Sequence, residues 1–497
     1  MNYSLKYIGM LLLGACLLLT GCPDKAANTD NKTPDAGKTE TKTSEKPAAG
    51  AAKELPKPKA DAAEVEAALA LLGKYGGSSE KNAAGAVTSI ALKLSDSLEP
   101  PTEEEKAGNP NLTVSETSEF NKGVATLFDA INKLVDLEKF SFEGPGIDDF
   151  GVTRLTSLKN VTVAYFENTN IGNATLEMMS ENMSNLVDLS LNRCLLLDGD
   201  SLAIIADSEN LSKIKILNLQ SNGFSTFDML ALPDLEQLEQ LDIRQCTSID
   251  GNVLKYIAEI PNLKVLKLRG TAYNDSAIAF LADHPKLQSL HLQDATVTDA
   301  CLDSLATIPS LTDLSLFRLS EISNEGLQKL EGSGLQRLLI RDNDKINNDG
   351  MKVIGTMPNL SRLTLYEVRS VNDEGLADAI KGNKKLINLA LYDMPDITDK
   401  TRATLATTTA LRGLEMRMTG QTDVTLQLAS KLPRLETIII GYNANFTDKG
   451  FDYLGENKAI KRIEIKDTSG ITKEAIEKFE SSHPNVTIKE TTTGGGE

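Results

Sequence analysis

Residues 360–393, LSRLTLYEVRSVNDEGLADAIKGNKKLINLALYD, decide the fold. Leu360, Leu363 and Leu365 stand in the spacing L-x-x-L-x-L. A turn-like Asn372-Asp373-Glu374-Gly375 follows, and then a short amphipathic run through Leu376, Ala379 and Ile380. Leu386, Leu389 and Leu391 restart the figure 26 residues after Leu360. Apolar residues two apart mark a strand, and apolar residues three and four apart mark a helix. A unit of one strand and one helix cannot bury its apolar faces alone, so such units must stack and share a core.

Working outward, the figure recurs along most of the chain. Units begin near Leu137, Leu158, Leu186, Ile214, Leu238, Leu263, Leu287, Leu311, Leu335, Leu360, Leu386, Leu411, Leu435 and Ile460. Most steps are 24 to 26 residues, with 28 twice near the start and 21 at the first step. Val87, Ile90 and Leu92 make an earlier strand. Residues 62–75, AAEVEAALALLGKY, form an amphipathic helix stopped by Gly76-Gly77, the expected N-terminal cap of a stacked array. Residues 95–111 read as a polar, Pro-rich surface insertion, and 120–135 as the helical half of an early unit. Val486 and Ile488 make a last half-strand. With no Trp and 5% aromatics, the core is expected to be aliphatic.

These repeats resemble the leucine-rich-repeat family. Val297-Thr298-Asp299-Ala300-Cys301-Leu302, Ile397-Thr398-Asp399 and Phe446-Thr447-Asp448-Lys449-Gly450-Phe451 resemble the I-T-D-x-G-L-x-x-L of its cysteine-containing, ribonuclease-inhibitor-like subclass. The resemblance implies an α/β solenoid of roughly 14–15 repeats, a curved horseshoe with a parallel β-sheet on the concave face and helices on the convex face. At the family's Cys/Asn turn position, eight residues into the repeat, stand Cys194, Asn222, Cys246, Asn343 and Asn443. Thr271, Thr419 and Thr468 are expected to substitute there, and Leu319, Val368 and Met394 to interrupt the polar ladder.

The N-terminus is built differently. Lys6 precedes an apolar run from Ile8 to Leu19, too short to span a bilayer comfortably. It ends in Leu19-Thr20-Gly21-Cys22, which resembles the lipobox of bacterial lipoproteins. That resemblance implies a signal peptide at 1–21, a lipidated Cys22, and a place in the cell envelope. The anchor would lie in the outer membrane or in the outer leaflet of the cytoplasmic membrane. Losing residues 1–21 removes Lys6 and no acid, taking the net charge from −18 to −19. Residues 22–60 have almost no large apolar side chains and read as a disordered tether. The organisation is then leader 1–21, tether 22–60, cap and insertion 61–111, repeats 112–489 and a disordered tail 490–497. The acidic balance argues against nucleic acid and anionic lipid as partners.

Cys194 and Cys246 hold the same position two repeats apart, which puts their Cα atoms about 10 Å apart at strand spacing. A disulfide requires less than about 7 Å, so Cys194, Cys246 and Cys301 are expected as buried free thiols. Three histidines are present. His284-Pro285 and His483-Pro484 share one repeat position, as expected of a structural turn. Asp342 to Gly350 superficially resembles a calcium loop, but Ile346 stands where an oxygen ligand is needed. No catalytic grouping, metal site or cofactor motif emerges.

The face between the leucines is more informative. The residue after the third leucine gives the row Asn192, Gln220, Arg244, Arg269, Gln293, Phe317, Arg341, Tyr366, Tyr392, Arg417, Gly441 and Lys466, with no acid. Arg244, Arg269, His291, Phe317, Arg318, Arg341, Tyr366, Tyr392 and Arg417 are the candidate ligand-binding residues, flanked by Arg337 and Arg362. Arg and aromatic enrichment with acid depletion is the composition of interface hot spots, though Asp294, Asp342, Glu367 and Asp393 stand next door. The expected function is a monomeric, membrane-anchored, non-catalytic scaffold for a protein or glycan ligand. The alternatives are a structural envelope protein without a soluble partner, and an extracytoplasmic enzyme inhibitor or enzyme.

Overall fold

The computed structural model describes residues 59–491. The leader, Cys22, the tether up to residue 58 and the last six residues lie outside the described residues. No helix among the described residues is long and apolar enough to cross a membrane.

The helix Ala62–Lys74 opens the fold, capped by Asp61, whose carboxylate accepts from the amides of Ala63 and Glu64. Ala68 and Leu72 drop into the core. Gly76, at φ 75, then lets the chain reverse into Ser78–Lys81, which pairs antiparallel with Val87–Lys93. This hairpin covers the first repeat edge; the sequence reading contains the second strand and not the first. From Val87–Lys93 onward every pairing is parallel and sequential, ending at Thr487–Thr491 in a 17-stranded sheet. The insertion 95–111 carries a short helix, Glu103–Gly108, closed by a capping box between Thr102 and Glu105.

The leucines of each strand point into one continuous core: Leu360, Leu363, Leu365, Leu386, Leu389 and Leu391 are all buried. One unit starts elsewhere than the sequence suggests. Strand Val163–Glu167 pairs with Lys139–Glu143 so that Ala164 opposes Phe140 and Phe166 opposes Phe142. The unit therefore begins at Val161, 24 residues after Leu137, and not at Leu158. Leu158 is equally buried but lies before the strand. The short first step vanishes, and only Leu186 to Ile214 keeps 28 residues. Here the expectation of an aliphatic core also fails. Phe128, Phe140, Phe142 and Phe166 form an aromatic cluster, with Phe140 and Phe142 stacked at 4.5 Å. Tyr273 too is fully buried.

Two devices hold successive repeats in register. The first lies just past each strand, seven residues after the unit's first leucine. Arg193, Ser221, Gln245, Asp294, Arg318, Asp342, Glu367, Asp393, Met418, Tyr442 and Asp467 all have φ between 44 and 62, and Gly144 and Gly270 fill the same place. Most of these side chains are not glycine, so the conformation carries a steric cost. It is held by the sheet: Arg318, Asp342 and Glu367 donate their amides to the carbonyls of Arg341, Tyr366 and Tyr392 in the next repeat.

The second device explains the Thr-Asp-x-Gly motif. Asp423 accepts from the amide (2.8 Å) and hydroxyl (2.6 Å) of Thr447, the residue capping the next helix. Asp299 does the same to Ser323, Asp373 to Thr398, Asp399 to Thr422 and Asp448 to Thr472. Asn324 and Asn348 stand in, accepting from the amides of Asn347 and Asn372. The glycine is required by closeness, because a Cβ at Gly450 would lie 2.1 Å from Asp423 Oδ1, and one at Gly326 2.1 Å from Asp299 Oδ1.

Cys194 and Cys246 at the inner corner, and Cys301 in the helix Ala300–Ala306, are buried free thiols. Cys194 Sγ meets Thr169 Oγ1 at 3.2 Å, so Thr169 is a corner residue concealed by the misplaced repeat start. Cys246 Sγ lies 3.1 Å from the Leu219 carbonyl, and Asn443 Nδ2 donates to the carbonyls of Thr419 and Gln421. Thr419 and Thr468 are buried and donate to Gln421 Oε1 and the Lys466 carbonyl, but Thr271 is exposed. Gly270 at φ 140 redirects the chain there, and Tyr273 fills the interior instead. The interruption at Leu319 and Val368 is visible between them: Asn343 accepts from the Leu319 amide, while its buried Nδ2 has no partner.

Candidate functional site

The residues after the third leucine fall into one row by strand register. Phe317 opposes Arg341, Arg341 opposes Tyr366, Tyr366 opposes Tyr392, and Tyr392 opposes Arg417. The row continues toward the N-terminus into Glu167 and Glu143, so its freedom from acids ends at Asn192.

The structure places acids against most of the arginines. Asp242, buried in the sheet face, takes a two-pronged bond from Arg244 Nε (2.9 Å) and Nη2 (2.7 Å), with Lys267 Nζ 3.8 Å away. Asp294 bridges Arg269 at 2.7 Å and Arg318 at 2.5 Å. Arg318 and Arg341 sandwich the ring of Phe317, at 4.2 and 4.4 Å from its centroid. His291 sits inside this charged network, bonded to Ser289 at 3.2 Å. Burial pushes its pKa down to about 4; Lys267 and Arg244 lower it further, while Asp313 and Asp242 oppose them. The imidazole is therefore neutral at ordinary pH.

The C-terminal part of the row is an aromatic cluster. Tyr366 and Tyr392, read as outward from sequence, lie on this face but are only 8% exposed, and Arg417 on the next strand is 7% exposed. Their rings meet edge to face at 5.3 Å, and the Arg417 guanidinium lies 4.6 Å from the Tyr392 centroid. Arg417 Nη2 donates to the Tyr366 hydroxyl at 3.0 Å and pairs with Glu415, while its Nε is buried without a partner. Burial and the Glu415 charge push the Tyr366 phenol up to about 12. Tyr442 and Met418, both more than a third exposed, form the rim beside this cluster, Tyr442 lying 6.4 Å from Tyr392.

Sequence reading misses Glu415, Tyr442 and Met418. Glu415 is two residues before Arg417 and so on the same strand face; strand alternation alone points to it. Tyr442 and Met418 occupy the positive-φ rim, which periodicity does not reveal. His284 and His483 are structural: His284 Nδ1 accepts from the amide of Leu287, and the His483 ring packs on Phe479. The 342–350 stretch is a repeat turn, with Asn347 capping the helix Asn348–Gly355. Among the described residues no group of three or more His, Cys, Asp or Glu could hold a metal ion.

Comparison with protein families finds no match, and neither does comparison with curated proteins. Solved structures do match. A chain of the yeast Rad7–Elc1 complex is 16% identical with a TM-score of 0.51, over 74% of this chain and 87% of that one. An internalin from Listeria monocytogenes is 17% identical with a TM-score of 0.36, over 82% and 97%. The TLR13–ssRNA13 complex is 16% identical with a TM-score of 0.42, over 69% and 58%. The recurring L-x-x-L-x-L strand, the polar inner corner and the helix returning each unit, with the likeness in fold to the Rad7–Elc1 chain, identify the fold as an α/β leucine-rich-repeat solenoid.

Proposed function

We propose that this protein is a non-catalytic scaffold that binds a protein ligand through the strand face of its repeats, held to a bacterial membrane by a lipid on Cys22. The observation that carries the reading is the in-register row from Arg269 to Arg417, which sets Phe317, Tyr366 and Tyr392 among arginines on one continuous face. Aromatic and guanidinium groups prepacked against each other lose little conformational freedom when a partner arrives. The exposed Tyr442 and Met418 extend that surface to the rim.

Pull-down from envelope extracts, with wild-type protein and with Arg341→Glu plus Tyr366→Ala, tests this. A partner captured by the wild type and lost from the double variant supports the reading; one retained unchanged overturns it, and a glycan captured instead replaces the ligand class. The anchor is tested separately. Cys22→Ala is expected to release the protein from the membrane fraction, and membrane retention would refute lipidation there.

A further inference from the structure

Two adjacent strands within that row invert the charge of the molecule. Strands Arg337–Arg341 and Arg362–Tyr366 bury Leu338, Ile340, Leu363 and Leu365, leaving six side chains on the open face: Arg337, Leu339, Arg341, Arg362, Thr364 and Tyr366. Three are arginine and none is acidic, in a chain with 70 acids against 52 lysines and arginines. On the reading that this face binds a protein, we infer that these two strands anchor an acidic peptide segment of the partner.

The register places Arg337 directly opposite Arg362. Neighbouring strands lie about 4.8 Å apart, and like charges held opposite each other destabilise a sheet. Burial and the Arg337 charge both lower the pKa of Arg362, against the pull of Asp313. Asp313 itself is bonded to Arg337 Nε at 2.5 Å. Beyond Arg362 the same row runs Asn388, Gly413 and Thr437, with no acid. One strand position along, Arg341 meets Glu367 only at 3.6 Å, and its Nε is buried without a hydrogen-bond partner.

A carboxylate arriving here separates two like charges and receives guanidinium donors in a two-pronged geometry. Elsewhere the net charge of −18 repels the same segment, so the arrangement selects position as well as charge. The neighbouring Phe317 and Tyr366 rings flank Arg341 and shield it from water, which strengthens pairing at that position.

The test is to pan a random displayed-peptide library on the purified full chain and measure the enriched peptides by fluorescence anisotropy. Enriched peptides are expected to carry two or more Asp or Glu. They should lose about tenfold in affinity when these become Asn or Gln, and again on Arg337→Gln plus Arg362→Gln. Arg337 also pairs with Asp313, so the thermal midpoint of the double variant is measured alongside to show that it is folded. Should it unfold, the carboxylate-to-amide peptides still decide. Neutral or basic enriched peptides, no enrichment, or unchanged binding to the variant would each overturn the inference, as would a sulfated oligosaccharide or polyphosphate binding in place of acidic peptides. Neutral peptides lost on Arg341→Glu plus Tyr366→Ala would overturn it while leaving the face itself in place as the binding surface.

Discussion

The repeats from Leu311 to Ile460 and the two begun by Leu186 and Ile214 are made of the same figure and settle differently. In the first group every strand has at least five residues, and an Asp or Asn at every helix start but the last bonds to the cap of the next helix. In the second group the strand Ile216–Asn218 shrinks to three residues, as does Gln240–Asp242 in the repeat that follows. The convex segment Phe227–Asp234 is a 3-10 helix containing Pro233. Its acid, Asp228, turns back to the amide of Ser225 in its own turn instead of reaching the next repeat. Leu195, Leu196, Phe227 and Leu230 are left in water. Leucines alone thus suffice for a strand and a core; where an Asp or Asn reaches forward, it ties the cap of the next helix to the repeat before it.

The largest effect should come from forcing an atom between carboxylate and glycine. Gly450→Ala is expected to cost about 2–3 kcal/mol in urea denaturation, since its Cβ would meet Asp423 at 2.1 Å. Asp423→Ala alone should cost about 1–2 kcal/mol through the lost cap bonds. The pair together should cost clearly less than their sum, because the clash is gone; additivity would show that the close approach is unimportant.

Ladder acids and helix-cap acids should also part with pH. Asp399 is disfavoured by burial but receives bonds from Thr422 and Thr425, which hold its pKa below the usual 3.8. Its stabilisation is present above the unfolded value and disappears as pH falls through the lowered folded one. Burial, helped by Asp149, pushes Asp148 the other way, to about 6, against the Gly151 and Phe150 amides. Asp148 therefore weighs on the fold above pH 6 and is relieved as pH falls toward the unfolded value. Asp148→Asn should stabilise by about 1–2 kcal/mol at pH 7.5 and by little at pH 4, whereas Asp399→Asn should destabilise at both. Thermal midpoints across that range decide; parallel pH profiles for the two variants would contradict the assignment.

Smaller effects follow at the rim and in the irregular repeat. Met418 holds φ 50 without a side chain suited to it, so Met418→Gly is expected to stabilise by roughly 0.5–1 kcal/mol. Phe227, at 78% exposure, should tolerate Phe227→Ser within about 0.5 kcal/mol. A larger loss would mean that the irregular repeat depends on contacts its exposure does not suggest.

Much of the fold was legible because leucines at a fixed period leave no other arrangement that hides them. Legibility failed where an equally apolar residue stood a few positions from the true start: Leu158 and Val161 are both buried, and only strand pairing distinguishes them. The candidate site was legible as a row and not as a surface. Tyr366, Tyr392 and Arg417 do share the row, but they cover one another, and the exposed rim beside them is Tyr442 and Met418.

Strand and helix periods, the buried leucines and the spacing that keeps thiols apart are local properties, and the sequence by itself determined them. Which acid answers which arginine was decided only by the tertiary structure. Asp294 joins Arg269 to Arg318, while Arg337 and Arg362 come to lie side by side from positions 25 residues apart. The physical reason is that Coulomb energies depend on distance and burial, and in a solenoid both are set by the stacking of one repeat on the next.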